Sequence, residues 1–205
     1  MDIEIKKLGR RFNRDWIFRN MDYRIATGGR YAVLGPNGSG KSTFLQVISG
    51  SLTPSEGAVV YRAGETAIEV ENLYAHLSLA APYLELIEEF TLTESIDFHF
   101  RFKSYVPGTD ASQVIQLLGF EKFAGREVRY FSSGMKQRLK LVLAVCSDTR
   151  LLLLDEPTAN FDEQGISWYH SLIERFAPGR TLIVCSNQAH EYDFCTERIS
   201  ITDFK

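Results

Sequence analysis

Gly35-Pro36-Asn37-Gly38-Ser39-Gly40-Lys41-Ser42-Thr43 lies between a short apolar run, Tyr31–Leu34, and a helix-like stretch, Lys41–Ser49. The pattern is G-x-x-x-x-G-K-[ST], and a strand before and a helix after give it physical meaning. The glycines let backbone N–H groups turn inward onto phosphate oxygens. The helix opening near Lys41 offers unsatisfied N–H groups to an anion. Lys41 brings positive charge to the β- and γ-phosphates, and the Ser42 hydroxyl can ligate Mg2+. The stretch Gly35–Thr43 therefore predicts an ATP site.

Strand-like and helix-like segments alternate on either side of this loop, which argues for an α/β fold. Asp2–Leu8 alternates apolar and charged residues like a half-exposed strand. Leu139, Val142, Leu143 and Cys146 fall on one face of a helix. Leu151–Leu154 is a continuous apolar run of the kind buried on both faces of a parallel sheet. It ends in Asp155-Glu156, and ligands of open α/β sheets bind at the carboxyl ends of strands. Asp155 is the candidate Mg2+ ligand beside Ser42, and Glu156 the candidate base for an attacking water. Thr181–Cys185 reads as a second buried strand. Ile96, Phe98, Phe100 and Phe102 alternate with polar residues, which by periodicity says strand.

The chain has 205 residues, 44% of them hydrophobic, enough for one domain with a full core. The net charge of −3 advertises no nucleic-acid footprint, which usually needs a basic face, so no nucleic-acid partner is expected, although a total charge hides local patches. No apolar run approaches the roughly 18–20 residues of a membrane helix. The acidic, alternating N-terminus is unlike a secretory signal. Cys146, Cys185 and Cys195 form no CxxC pair and read as buried thiols, consistent with a cytosolic location.

Phe131-Ser132-Ser133-Gly134-Met135-Lys136-Gln137-Arg138 resembles the signature of ABC ATPases, and stands just before the acidic strand as it does in that family. Glu156-Pro157-Thr158-Ala159-Asn160-Phe161-Asp162 is similar to the family's segment leading into its D-loop. Phe12 precedes Lys41 by 29 residues, a spacing similar to that of the family's adenine-stacking aromatic. The resemblance covers essentially the whole chain. It implies a P-loop NTPase (RecA-like) core with a mixed sheet, an antiparallel β lobe and an inserted α-helical subdomain. The core lobe would comprise residues 1–74 and 131–205, and the helical subdomain residues 75–130, with Ile96–Phe102 helical despite its alternation.

The family implies that two such domains pair head to tail, as homo- or heterodimer, around two Mg-ATP. Ser132, Ser133, Gly134 and Asp162 would then face nucleotide held by the other copy, and ATP hydrolysis would drive a separate membrane-spanning subunit. That partner would hold the chain at the inner face of the membrane and dock near Ala80–Phe90. The Gly-Met-Lys-Gln-Arg form looks like that of exporter-associated subunits. Two positions depart from the family. The Q-loop glutamine has no counterpart near Ala81-Pro82, and Asn187 stands in place of the switch histidine, with His190 three residues later. These departures keep open a slow ATP-gated switch. A soluble ABC protein working on nucleic acid is the other alternative.

Overall fold

The computed structural model describes residues 1–205. Its strands and helices, in chain order, are β1 Asp2–Phe12, β2 Asp15–Ile25, β3 Arg30–Leu34, α1 Lys41–Ile48, β4 Glu56–Ala63, β5 Thr66–Ile68, β6 Leu77–Ala80, α2 Leu92–His99, α3 Ala111–Leu118, α4 Ser133–Val145, β7 Leu151–Asp155, α5 Glu163–Phe176, β8 Thr181–Cys185, α6 Ala189–Tyr192 and β9 Glu197–Ser200. Parallel and antiparallel pairing are divided between two sheets. The core sheet has order β6-β7-β8-β3-β9 and is parallel throughout. The other, β2-β1-β4-β5, is antiparallel. The mixed character expected of the fold is thus a matter of two sheets, not of one mixed core sheet.

The uninterrupted apolar strands follow from burial on both faces. Leu152 and Leu154 of β7 pack with α4 and α5, whereas Leu151 and Leu153 face α1 and the antiparallel sheet. Leu182 and Val184 of β8 divide from Ile183 and Cys185 in the same way. Register then fixes the site: Val33 pairs with Cys185, and Cys185 with Asp155. The three strands end together, so the segments that follow Leu34, Asp155 and Cys185 converge.

Two sequence expectations change. Residues 75–130 were expected to be helical, but β6 pairs with β7 inside the core sheet, so the helical insert begins after Ala80. The alternation of Ile96–Phe102 does not make a strand. Thr91 and Glu94 form a reciprocal capping box that starts α2, which covers Ile96 and Phe98. The alternation arises because Phe98 and Phe102 stay exposed, stacked edge-on in a row with Phe90. All three cysteines are free and buried.

Candidate functional site

The phosphate loop is shaped by backbone conformations that favour glycine. Gly40 has φ 108°, and a Cβ there would sit 2.3 Å from Ile17 Cγ2. Gly35 has φ 153°, and its Cβ would fall 2.6 Å from Ser39 Oγ. Of the five helices of eight residues or more, α2, α3, α4 and α5 are capped by the side chains of Thr91, Asp110, Ser132 and Asp162. Helix α1 has no side-chain cap and no acid in its first turn. Its N–H groups are left for an anion. Lys41 is buried, and its ammonium donates to Gly35 O at 2.8 Å and Pro36 O at 3.3 Å. Asn37, Gly38, Gly40, Lys41, Ser42 and Thr43 line a cavity of about 200 Å3 together with Ile17 and Glu156. Pro36 and the buried Ser39 form the turn beneath it, where Ser39 N donates to Pro36 O at 3.0 Å.

Asp155 closes β7 and is 1% exposed, yet neither carboxylate oxygen has a hydrogen-bond partner. Burial raises its pKa to about 6; the nearby Ser42 hydroxyl, which does not reach hydrogen-bond geometry, lowers it, Glu156 raises it, Lys41 lowers it and Glu191 raises it. Buried polar atoms need partners. A Mg2+ shared with Ser42 would supply one. One carboxylate together with substrate phosphate oxygens and water is a donor set that suits this ion. No group of three or more His, Cys, Asp and Glu side chains is placed to hold a metal ion.

A pH dependence follows. The folded pKa of Asp155, about 6, lies above the ordinary 3.8, so the folded chain holds this proton where the unfolded chain has lost it. The metal-free protein therefore loses stability as pH rises from about 4 to about 6, by up to roughly 3 kcal/mol, and levels off above that. Thermal melts in chelator between pH 4 and 8 check this, and Mg-ATP should flatten the profile.

Glu156 follows directly, exposed and with φ 41°, a left-handed conformation unusual outside glycine. Its N–H donates to Cys185 O at 2.9 Å, which aims the side chain out of the sheet. Asn187 lies opposite, and its Nδ2 donates to Asn37 Oδ1 at 2.7 Å, joining the loop after β8 to the phosphate loop. These expected residues gather in one place.

The others do not. Ser132, Gly134 and Asp162 line a separate cavity of about 250 Å3 with Met135, Arg138 and Asn160. Ser132 Oγ accepts from Met135 N, and Asp162 Oδ1 from Gly165 N, so both cap helices. Ser133 is the first residue of α4. A Cβ on Gly134 would meet Asn160 O at 3.3 Å. Phe12 ends β1, exposed, with the Arg10 guanidinium 4.6 Å from its ring centroid, and is absent from the phosphate cavity.

The sequence reading places none of Ile17, Tyr83 and Lys140 at the site; Tyr83 falls there only within the stretch Ala80–Phe90 expected to dock a partner. Ile17 packs on Gly40. Tyr83 follows Pro82, where no glutamine stands. Burial raises the pKa of its phenol, the charges of Asp155 and Cys185 add to this, and a hydrogen bond with Gln46 opposes it. Lys140 of α4 donates to Ala81 O at 3.3 Å and Pro82 O at 2.9 Å, clamping the start of the helical insert. Only the spacing of Tyr83 from β6 could have signalled any of them.

The family model described as ABC transporter matches residues 18–159. That span holds the phosphate loop, the signature and both acids, while Phe12, Asp162 and Asn187 lie outside it. An uncharacterised ABC transporter ATP-binding protein, YybJ of Bacillus subtilis (strain 168), is 29% identical over 190 residues, 92% of this chain and 87% of that one. The lantibiotic transport ATP-binding protein SrtF of Streptococcus pyogenes is 28% identical over 204 residues, 96% of this chain and 85% of its own. The dimeric structure of MJ0796, a bacterial ABC transporter cassette, superposes with a TM-score of 0.82 at 21% identity, covering 97% of this chain and 94% of that one. The motifs, the convergence of the phosphate loop and the acidic pair at the carboxyl ends of the core strands, and the family match agree: this chain is an ATP-binding, ATP-hydrolysing member of the ABC transporter family.

Proposed function

We propose that this chain is the ATP-driven motor of a transporter and works as a head-to-tail pair closed over two Mg-ATP. The observation that carries the reading is the separation of two half-sites on one chain. The phosphate cavity holds Lys41, Ser42 and Glu156, while Ser132 and Gly134 open a second helix N-terminus in another cavity. A second copy related by a two-fold axis would place that N-terminus against the γ-phosphate, where its partial positive charge is favourable. Within each site, Lys41 and the N–H groups of α1 bind the phosphates, Asp155 and Ser42 hold Mg2+, and Glu156 takes a proton from the attacking water. Mg2+, when bound, draws charge off the phosphoryl oxygens. Asn187 donates a neutral hydrogen bond where the family has a histidine, and Phe12 stacks on adenine.

No helix is long and apolar enough to cross a membrane. A groove of about 650 Å3 between the lobes, lined by Leu84, Leu86, Ile87, three glutamates and two lysines, is the proposed seat for a membrane-spanning partner. Export is the direction favoured by the Gly134-Met135-Lys136-Gln137-Arg138 form. Light scattering of Glu156→Gln tests the pairing: the 23.3 kDa mass should double with Mg-ATP and fall back without it. An unchanged mass at saturating Mg-ATP would count against it.

A further inference from the structure

Glu191, in the short helix α6, is 1% exposed, and its carboxylate makes no salt bridge with any lysine, arginine or histidine. A buried carboxylate without a cation is costly unless hydrogen bonds saturate it. Here three donors do so. Oε1 accepts from Thr158 N at 2.7 Å and from the Thr158 hydroxyl, and Oε2 accepts from the Ser186 hydroxyl. Thr158 lies two residues after Glu156, and Ser186 immediately precedes Asn187. One carboxylate thus ties together the two segments that carry the groups nearest the phosphate loop.

Both hydroxyl protons go to the carboxylate as their shortest contact, with Gln188 O a longer second acceptor for Ser186 at 3.5 Å. Thr158 gives its only hydroxyl proton to Glu191, so at 3.0 Å His190 Nε2 must donate to Thr158 Oγ1. Ser186 also gives its proton to Glu191 and accepts from Gln188 N at 2.8 Å. The buried Tyr169 hydroxyl donates to Glu191 O at 2.8 Å, anchoring α6 on α5. The network walls a polar cavity of about 360 Å3 that opens beside Glu156 and Asn187.

We propose that Glu191 is a positioning residue for ATP hydrolysis: through Thr158 and Ser186 its carboxylate holds Glu156 and Asn187 at a fixed separation across the γ-phosphate. This rests on the placing of hydrolysis at Glu156. Ground-state nucleotide is gripped by Lys41 and the N–H groups of α1, to which no hydrogen bond of the network runs; the network meets the phosphate loop only through the bond of Asn187 to Asn37. Its loss therefore acts on the chemical step and leaves nucleotide binding unchanged.

Steady-state turnover and ATP affinity of the full chain, with Mg2+, test the assignment. Glu191→Gln and Thr158→Val should lower kcat about 10- to 100-fold with KM and ATP affinity within about twofold, a magnitude usual for groups that orient a reacting one. Thr158→Ser, which keeps the hydroxyl, should recover most of the rate. Thr158→Val is close to isosteric, so it carries the test should Glu191→Gln fail to fold. Equal behaviour of Thr158→Ser and Thr158→Val, or losses of kcat and affinity that fall together with Tm, would overturn the assignment in favour of a fold fastener. Wild-type kcat in Glu191→Gln beside an inactive Glu156→Gln would overturn it alone. Full turnover in Glu156→Gln would remove the placing of hydrolysis and the assignment with it.

Discussion

Glu156→Gln should bind Mg-ATP as tightly as the unaltered chain and hydrolyse it about 10²–10⁴-fold more slowly, the range lost with a general base. Glu156 is exposed at the junction of the phosphate cavity and the polar cavity beside it. Its strained φ of 41° is fixed by the end of β7 and by the bond to Cys185 O, not by its side chain. Glutamine keeps the shape and the hydrogen-bonding reach but has no basic lone pair at neutral pH. Lys41, Ser42 and Asp155 are untouched, so affinity should not move. Phosphate release and equilibrium nucleotide binding, measured on the same preparation, separate the two effects. Undiminished hydrolysis would exclude Glu156 as the base.

Lys41→Ala should fail earlier, at binding. Its ammonium is buried against the carbonyls of Gly35 and Pro36 and is the one charged side chain of the loop. Removing a buried, hydrogen-bonded charge from an ion pair costs about 2–5 kcal/mol, here roughly a 30- to 5,000-fold rise in Kd for ATP. Titration calorimetry with Mg-ATP reads it directly. A Kd within threefold of the unaltered chain would mean that the N–H groups of α1 carry phosphate binding without the lysine.

What could be read from the sequence was local. The phosphate loop, the acidic strand end and the signature each occupy a few consecutive residues whose chemistry is constrained by spacing, and each lies at a strand end or helix start. The continuous apolar runs of β7 and β8 declared their burial on both faces. The alternation from Ile96 to Phe102 misled because it recorded an exposed aromatic row instead of a pleat. The better signal was the pair Thr91 and Glu94, three apart. The boundary near residue 75 was displaced because β6 is only four residues long and joins the core sheet through β7, some 70 residues away. Glu191 and Lys140 escaped notice for the same reason. Their partners, Thr158 and Pro82, are 33 and 58 positions distant, and no periodicity encodes such contacts. Asn187 was legible as a departure from a family pattern, but its bond to Asn37 was not.

The bare N-terminus of α1 has a thermodynamic consequence. The other long helices close their first turn with their own side chains, and this one leaves that task to its substrate. Ligand that binds only the folded chain stabilises it by mass action, about 4 kcal/mol at a thousandfold excess over Kd. The nucleotide is in this sense a removable part of the fold. The chain's lifetime against unfolding, and so its steady abundance, should rise and fall with the concentration of free nucleotide around it.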